Sequence, residues 1–211
     1  MKKIIVFGAT GGTGQLVVKQ LLQAGHQVTA VVRKPDGLAL QHPQLRIIVG
    51  DVFETGTFEN EIRGQDAVVS CLGIQKREPT TVYSEGVGNI IEAMQEANVT
   101  RIICLSAGAV VVPTRSSFFA KFFIKNILQR IFKYTYADML IMERILKESH
   151  LNWTVIRPPW LRNSAHSGKY RAMVNGHLSN PSKLSRADLA EYIVNHLTDE
   201  KTHKALVEIS Y

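Results

Sequence analysis

The stretch Lys3-Ile4-Ile5-Val6-Phe7-Gly8-Ala9-Thr10-Gly11-Gly12-Thr13-Gly14-Gln15 decides the fold. Five residues of buried-strand character run into a glycine turn. The turn opens a helical run from Gln15 to about Ala24, with Leu16, Val17, Leu21 and Leu22 near helical spacing. Gly8, Gly11 and Gly14 stand in a G-x-x-G-x-x-G spacing. Glycine is needed where the backbone turns sharply and where it approaches a pyrophosphate, and the N–H groups opening the helix then bind the anion, aided by the helix dipole. Thr10 and Thr13 add hydroxyl donors. Three glycines in a loop are a weak signal alone; the strand before them and the helix after them supply the confirming context. Gly8, Thr10, Gly11, Gly12, Thr13 and Gly14 are therefore read as cofactor-binding.

Working outward, Gly25 closes the first helix and 26–32 forms a second strand. Leu45 to Val49, Ala67 to Cys71, Arg101 to Leu105 and Asn152 to Ile156 read as the third to sixth strands, and Lys204 to Ile209 as a last short one. Helices are predicted over Ser84 to Ala97, in a long region ending in Met139 to Ser149, and over Ser185 to Leu197. Ser185 and Asp188 have the spacing of a capping box. Strands alternating with helices specify a parallel sheet covered on both faces, and right-handed crossovers favour the order 3-2-1-4-5-6. The expectation is α/β: a single doubly wound Rossmann-type domain over residues 1–211, its mostly parallel sheet having six to seven strands.

At the end of the second strand the sequence reads Val32-Arg33-Lys34, where NAD-binding folds place an acidic residue on the ribose 2′-hydroxyl. A carboxylate would repel a 2′-phosphate, whereas Arg33 can grip it bidentately and stack on adenine. Arg33 thus points to NADP(H). The competing reading makes Arg33 and Lys34 solvated residues at a strand end, with Asp36 nearby.

The 211 residues are 45% apolar and 20% charged, ordinary for a globular chain. No apolar run approaches the roughly 20 residues that span a bilayer, so no stable membrane insertion is expected. The apolar stretch after Met1-Lys2-Lys3 meets Gly8 too soon for a secretory core of about 7–15 residues, so a cytoplasmic protein is expected. Net charge is +7, spread along the chain without the clustering that nucleic-acid binding demands; it suits an anionic small molecule. Cys71 and Cys104 each follow strand-like runs and read as buried thiols. The seven histidines show no metal-ligand spacing.

With these residues in hand, the chain resembles the atypical (NmrA-like) short-chain dehydrogenase/reductases, and within them the NADPH-dependent flavin reductase (biliverdin-IXβ reductase) group. The resemblance covers nearly the whole chain. Its pieces are Phe7-Gly8-Ala9-Thr10-Gly11, Gly50-Asp51-Val52, 65–69, Leu72-Gly73, 79–82, Ser84-Glu85-Gly86, Asn89-Ile90, Ser106, 146–149 and Pro158-Pro159. The resemblance implies that Asp51 and Val52 contact adenine and that Leu72 and Gly73 border the adenosine ribose. It also implies that Ser106, the residue carried as catalytic, lies near the nicotinamide amide, with Pro158 close to the same ring. Asp51 as a loop cap and Ser106 as a satisfied strand-end hydroxyl are the plainer alternatives.

Two departures shape the expected chemistry. The Tyr-x-x-x-Lys pair of ordinary short-chain dehydrogenases would fall on Thr135 and Met139, so alcohol–ketone chemistry lacks its acid/base. An isoalloxazine accepts hydride at a ring nitrogen with a solvent proton, so near-attack geometry suffices. The expected acceptor is a flavin-like, quinone-like or tetrapyrrole ring; the alternative is a non-catalytic NADP(H)-sensing regulator of the NmrA type. The second departure is Trp160, where the flavin reductases carry histidine. Its indole either stacks on a planar substrate or plugs the pocket. Trp160 is therefore one substrate candidate, and His166 is the other, since it falls in the loop after Pro158-Pro159, where contacts in this fold cluster. Residues 117–133 carry Phe118, Phe119, Phe122, Phe123, Ile127 and Ile131 on a broad apolar face. They read as a helix covering the sheet or the mouth of the site, in preference to a membrane-surface helix.

Overall fold

The computed structural model describes residues 1–74, 78–112, 122 and 124–211. Parallel strands β1 (Lys3–Phe7), β2 (Gln27–Val32), β3 (Leu45–Val49), β4 (Ala67–Ser70), β5 (Arg101–Leu105) and β6 (Asn152–Arg157) lie in the order 3-2-1-4-5-6. Their register runs from Lys3 opposite Gln27 to Leu105 opposite Ile156. Two short strands, β7 (Leu161–Arg162) and β9 (Leu184–Ser185), pair separately. The main sheet continues past β6 with β10 (Ala205–Ser210), parallel to β6, and β8 (Arg171–Val174), antiparallel at the edge. The sheet thus has eight strands, one or two more than expected. All four residues of β8 are exposed, so that strand has no apolar alternation for a sequence reading to catch.

β1 shows why both faces must be covered. Side chains alternate across a strand, and Ile4 and Val6 enter one buried cluster while Ile5 and Phe7 enter another. The first cluster is roofed by α1 (Gly12–Gln23) and α5 (Arg186–Asn195), through Val17, Val18, Leu21, Leu189 and Ile193. The second is roofed by α3 (Ser84–Glu96) and α4 (Lys133–Glu148), through Val87, Ile90, Met94, Met142 and Leu146; a single turn, α2 (Glu59–Ile62), adds Ile62. Fully burying one such side chain stabilises by about 1.5–3 kcal/mol. Asp138 of α4 crosses to α3, accepting from the Tyr83 N–H at 2.9 Å and from the Ser84 N–H and hydroxyl. One carboxylate therefore caps α3 and docks the two roofing helices.

Of the helix expected over 117–133, Phe118, Phe119 and Phe123 lie outside the described residues. Ile124–Leu128 is a π-helical turn and Gln129–Ile131 an α-helical one. Gln129 Nε2 donates to the Ala109 and Val110 carbonyls at 3.2 and 3.3 Å, tying this segment to the loop after β5. Phe122, Ile127 and Ile131 are exposed. No helix among the described residues is long and apolar enough to cross a membrane.

Candidate cofactor and active site

Because β1 to β6 are parallel, their carboxyl ends share one edge, and there a cleft of about 850 Å³ opens. The turn after β1 forms its floor. Gly8 has φ +71°, and a Cβ there would lie 2.4 Å from the Cys71 carbonyl oxygen. A Cβ on Gly14 would lie 2.2 Å from the Gly8 carbonyl oxygen. Only glycine lets the turn nest against β4 and the first turn of α1 nest against the glycine turn. Gly11 caps α1 without a side-chain bond, and the Gly12, Thr13 and Gly14 N–H groups find no acceptor among the described residues. Thr13 and Gly14 are buried, and buried donors need partners; an anion seated on the turn would supply them.

The cleft gathers most of the residues singled out in the sequence. Gly8, Thr10, Gly11, Gly12 and Thr13 line it, with Arg33, Asp51, Val52, Leu72, Gly73, Ser106 and Pro158. Gly14 lies beneath the loop as its packing partner. Among the described residues no carboxylate pairs with Arg33, Asp36 included, and the exposed residue lines the cleft. Asp51 combines both of its readings: Oδ1 caps the Phe53 N–H at 3.1 Å, and the residue borders the cleft.

Two candidates stand apart. Trp160 is 68% exposed and does not line the cleft. His166 also lies off the lining, its Nε2 2.9 Å from Glu191 Oε1 and 3.6 Å from Asp188 Oδ1. This His166–Asp188–Glu191 cluster has the donor types of a metal site. Asp188, however, accepts from the Ser167 N–H and hydroxyl, the Gly168 N–H, the Ser185 hydroxyl and the Tyr211 hydroxyl. A carboxylate offers about four lone-pair sites, so Asp188 is saturated by protein donors and holds the 163–170 loop onto α5. The expected capping box is present in part: Ser185 Oγ accepts from the Asp188 N–H at 2.9 Å, and Asp188 returns to the Ser185 hydroxyl.

Burial alone would raise the Asp188 carboxyl, but the bonds from Tyr211, Gly168, Ser167 and Ser185 outweigh it and hold it well below the usual carboxylate range. A depressed folded value makes ionised Asp188 stabilising above the unfolded value, near about 3.9, and that contribution is lost as pH falls toward the lower folded value. Denaturant titrations below pH 5 should therefore show a steeper loss of stability for wild type than for Asp188→Asn. Parallel pH profiles would refute this role.

At the opposite end of the cleft, Ser106 is 5% exposed and extends the β5–β6 pairing, its N–H donating to the Ile156 carbonyl at 2.8 Å. Its hydroxyl donates to Glu143 Oε1 at 2.8 Å. Glu143 is buried and accepts from Arg157 Nε at 2.9 Å and from Arg157 Nη2. The Ser106 hydroxyl is thus the donor in its bond to Glu143, and its oxygen keeps acceptor capacity. Ser106 Oγ therefore meets the cleft as an acceptor. Sequence reasoning assigned no role to Glu143 or Arg157, because their pairing joins α4 to the end of β6. Phe53 and Arg186 also line the cleft and were likewise missed. Cys71 borders it too, but burial pushes its thiol up to about 12; both cysteines are free and buried.

Fold and cleft together define a dinucleotide-binding α/β protein. A family model described as NAD(P)H-binding matches residues 8–200, and the chain belongs to that family. An Arabidopsis thaliana chloroplastic protein without an assigned function is 30% identical over 99% of this chain and 76% of its own length. A 3-beta-hydroxysteroid dehydrogenase of Mycolicibacterium neoaurum is 27% identical over 52% of this chain, a match spanning 33% of that protein. Among solved structures, a Streptococcus pneumoniae protein described as a proposed NADH-flavin reductase superposes with a TM-score of 0.82 at 19% identity, covering 100% of this chain and 99% of its own. A Veillonella parvula short-chain dehydrogenase/reductase in complex with NADP gives 0.80 at 20% identity, covering 100% of this chain and 94% of that one. At these identities the structures show the shared fold.

Proposed function

We propose that the protein is an NADPH-dependent reductase that passes hydride to a flavin-like, quinone-like or tetrapyrrole ring. The glycine turn would take the pyrophosphate, Arg33 the 2′-phosphate, Asp51 and Val52 the adenine side, and Ser106 and Pro158 the nicotinamide. The reduced nicotinamide supplies the hydride. Ser106 Oγ, its own proton committed to Glu143, suits a carboxamide N–H as its partner and would fix which way the ring faces. The observation that carries the choice of acceptor is Met139. It lines the cleft on α4, at the position where alcohol dehydrogenases of this kind place the lysine of their proton-transfer pair, and Thr135 stands buried at the tyrosine position. A thioether moves no proton, so a carbonyl substrate would lack its acid, whereas a ring nitrogen takes hydride with a proton from solvent. Tyr83, on the lining but 4% exposed, is raised in pKa by burial and serves as wall. Free buried thiols suit a reducing, cytoplasmic setting.

Stopped-flow mixing with NADPH and FMN, FAD or a benzoquinone should give oxidation above the uncatalysed rate for at least one ring. NADPH binding with no turnover on any of them overturns the reductase reading in favour of a sensor of NADP(H). Arg33→Ala should lower NADPH affinity by about tenfold or more, as expected for losing charge-assisted bonds to phosphate, with NADH affinity nearly unchanged. An unchanged NADPH/NADH ratio would overturn the 2′-phosphate assignment.

A further inference from the structure

Arg186 is the first residue of α5 and follows the capping Ser185. α1 and α5 lie side by side on one face of the sheet, and both begin at its carboxyl edge. The Arg186 side chain consequently lies across the glycine turn: a Cβ on Gly12 would stand 3.2 Å from both Arg186 Cδ and Nε. A side chain at position 12 would have to push the arginine aside by a few tenths of an ångström. The guanidinium donates to Asn163 Oδ1 at 2.8 Å. Among the described residues no carboxylate pairs with it, and the side chain lines the cleft. Asn163 takes one of its five N–H donors, and the side chain lies against the turn whose Gly12, Thr13 and Gly14 N–H groups have no acceptor among the described residues.

We infer that Arg186 is a second cationic ligand of the cofactor, closing on the pyrophosphate from the α5 side while α1 holds it from below. This rests on the cofactor placement given under Proposed function. The glycine turn provides directional N–H donors but no formal charge, and a pyrophosphate carries two negative charges; a planar guanidinium fits its paired oxygens. Asn163 acts as a positioning residue that keeps the fork over Gly12. Arg33 and Arg186 then serve different phosphates of one molecule, at opposite ends of its adenosine half.

Calorimetric titration of two ligands separates these roles, with NADPH carrying both phosphate groups and 2′-AMP lacking the pyrophosphate. Arg186→Gln should weaken NADPH about tenfold, the scale of a lost charge-assisted pair, and leave 2′-AMP within about twofold. Arg186→Lys, which keeps the charge but loses the fork, should fall between. Arg33→Ala should weaken both ligands. Equal weakening of NADPH and 2′-AMP by Arg186→Gln, or no weakening of either, overturns the inference while leaving the cofactor site standing. Failure of wild type to bind NADPH overturns the cofactor placement itself. Thermal unfolding of each variant without ligand verifies that the partly exposed position tolerates the change.

Discussion

Glu143→Ala should destabilise the fold by about 3–5 kcal/mol, because it leaves the Arg157 guanidinium buried without its partner. At this chain length each kcal/mol moves the midpoint by roughly 2–4 °C, so thermal unfolding should show a drop of about 6–20 °C. The reasoning turns on burial. Glu143 and Arg157 are 1% and 8% exposed, and their pairing is two-pronged. An exposed ion pair of the same geometry would contribute about 0–1 kcal/mol. Replacing both members with apolar residues, Glu143→Met with Arg157→Met, should recover much of the loss, since breaking a buried pair costs more than removing it whole. The recovered protein would still have lost the acceptor that orients the Ser106 hydroxyl. Its discrimination between NADPH and the 3-acetylpyridine analogue, which lacks the carboxamide N–H, should shrink even though the fold is restored. A single variant within about 1 kcal/mol of wild type would show that the pair is solvated in solution and does not order the site.

That buried pair also marks where the sequence stops being readable. β1 and the glycine turn declare themselves because every constraint on them is local: alternation on a strand, glycine in a turn, helical spacing directly after. The order of β1 to β6 follows from the same kind of information, since right-handed crossovers leave few ways to arrange alternating elements. Arg33 was singled out because it follows the second strand, Ser106 because the family resemblance implied it, and both line the cleft because the ends of parallel strands converge at one edge. Glu143 and Arg157 meet across fourteen residues, Asp138 caps α3 from 54 and 55 residues away, and Arg186 meets Gly12 only because α1 and α5 share a face. No periodicity encodes such pairings. A buried acid and a buried arginine in separate elements were a visible clue to a pair, but not to its place behind Ser106. Trp160 and His166 show the reverse error of scale. The resemblance nominated Trp160 and loop position nominated His166, and neither determines whether a side chain faces the cleft, solvent or a neighbouring helix.

Gly8→Ala should abolish measurable cofactor binding while leaving a folded, weakened protein. Gly8 has φ +71°, a region that costs a side-chain-bearing residue about 1–3 kcal/mol. The added Cβ would also fall 2.4 Å from the Cys71 carbonyl oxygen, 2.6 Å from its carbon and 2.8 Å from the Leu72 nitrogen. All three are backbone atoms at the end of β4, so no rotamer change relieves the overlap; the turn must lift away from the sheet. Lifting it moves the Gly8 carbonyl that receives the Gly11 N–H at 3.1 Å and packs against Gly14, so the N–H groups opening α1 lose their common aim. Of the two core clusters only the edge formed by Phe7, Ala9 and Cys71 adjoins the displaced turn, which is why binding should suffer more than stability. The expected loss in NADPH affinity is at least about 100-fold, equivalent to about 2.7 kcal/mol, against a few degrees in the unfolding midpoint. Gly88→Ala is the matched control: its Cβ would meet nothing within 4 Å, and in the middle of α3 alanine should be neutral or stabilising by up to about 1 kcal/mol. If Gly8→Ala bound NADPH as tightly as the Gly88→Ala control, the glycine turn would be a packing device of the sheet and the cofactor would have to be held elsewhere along the cleft.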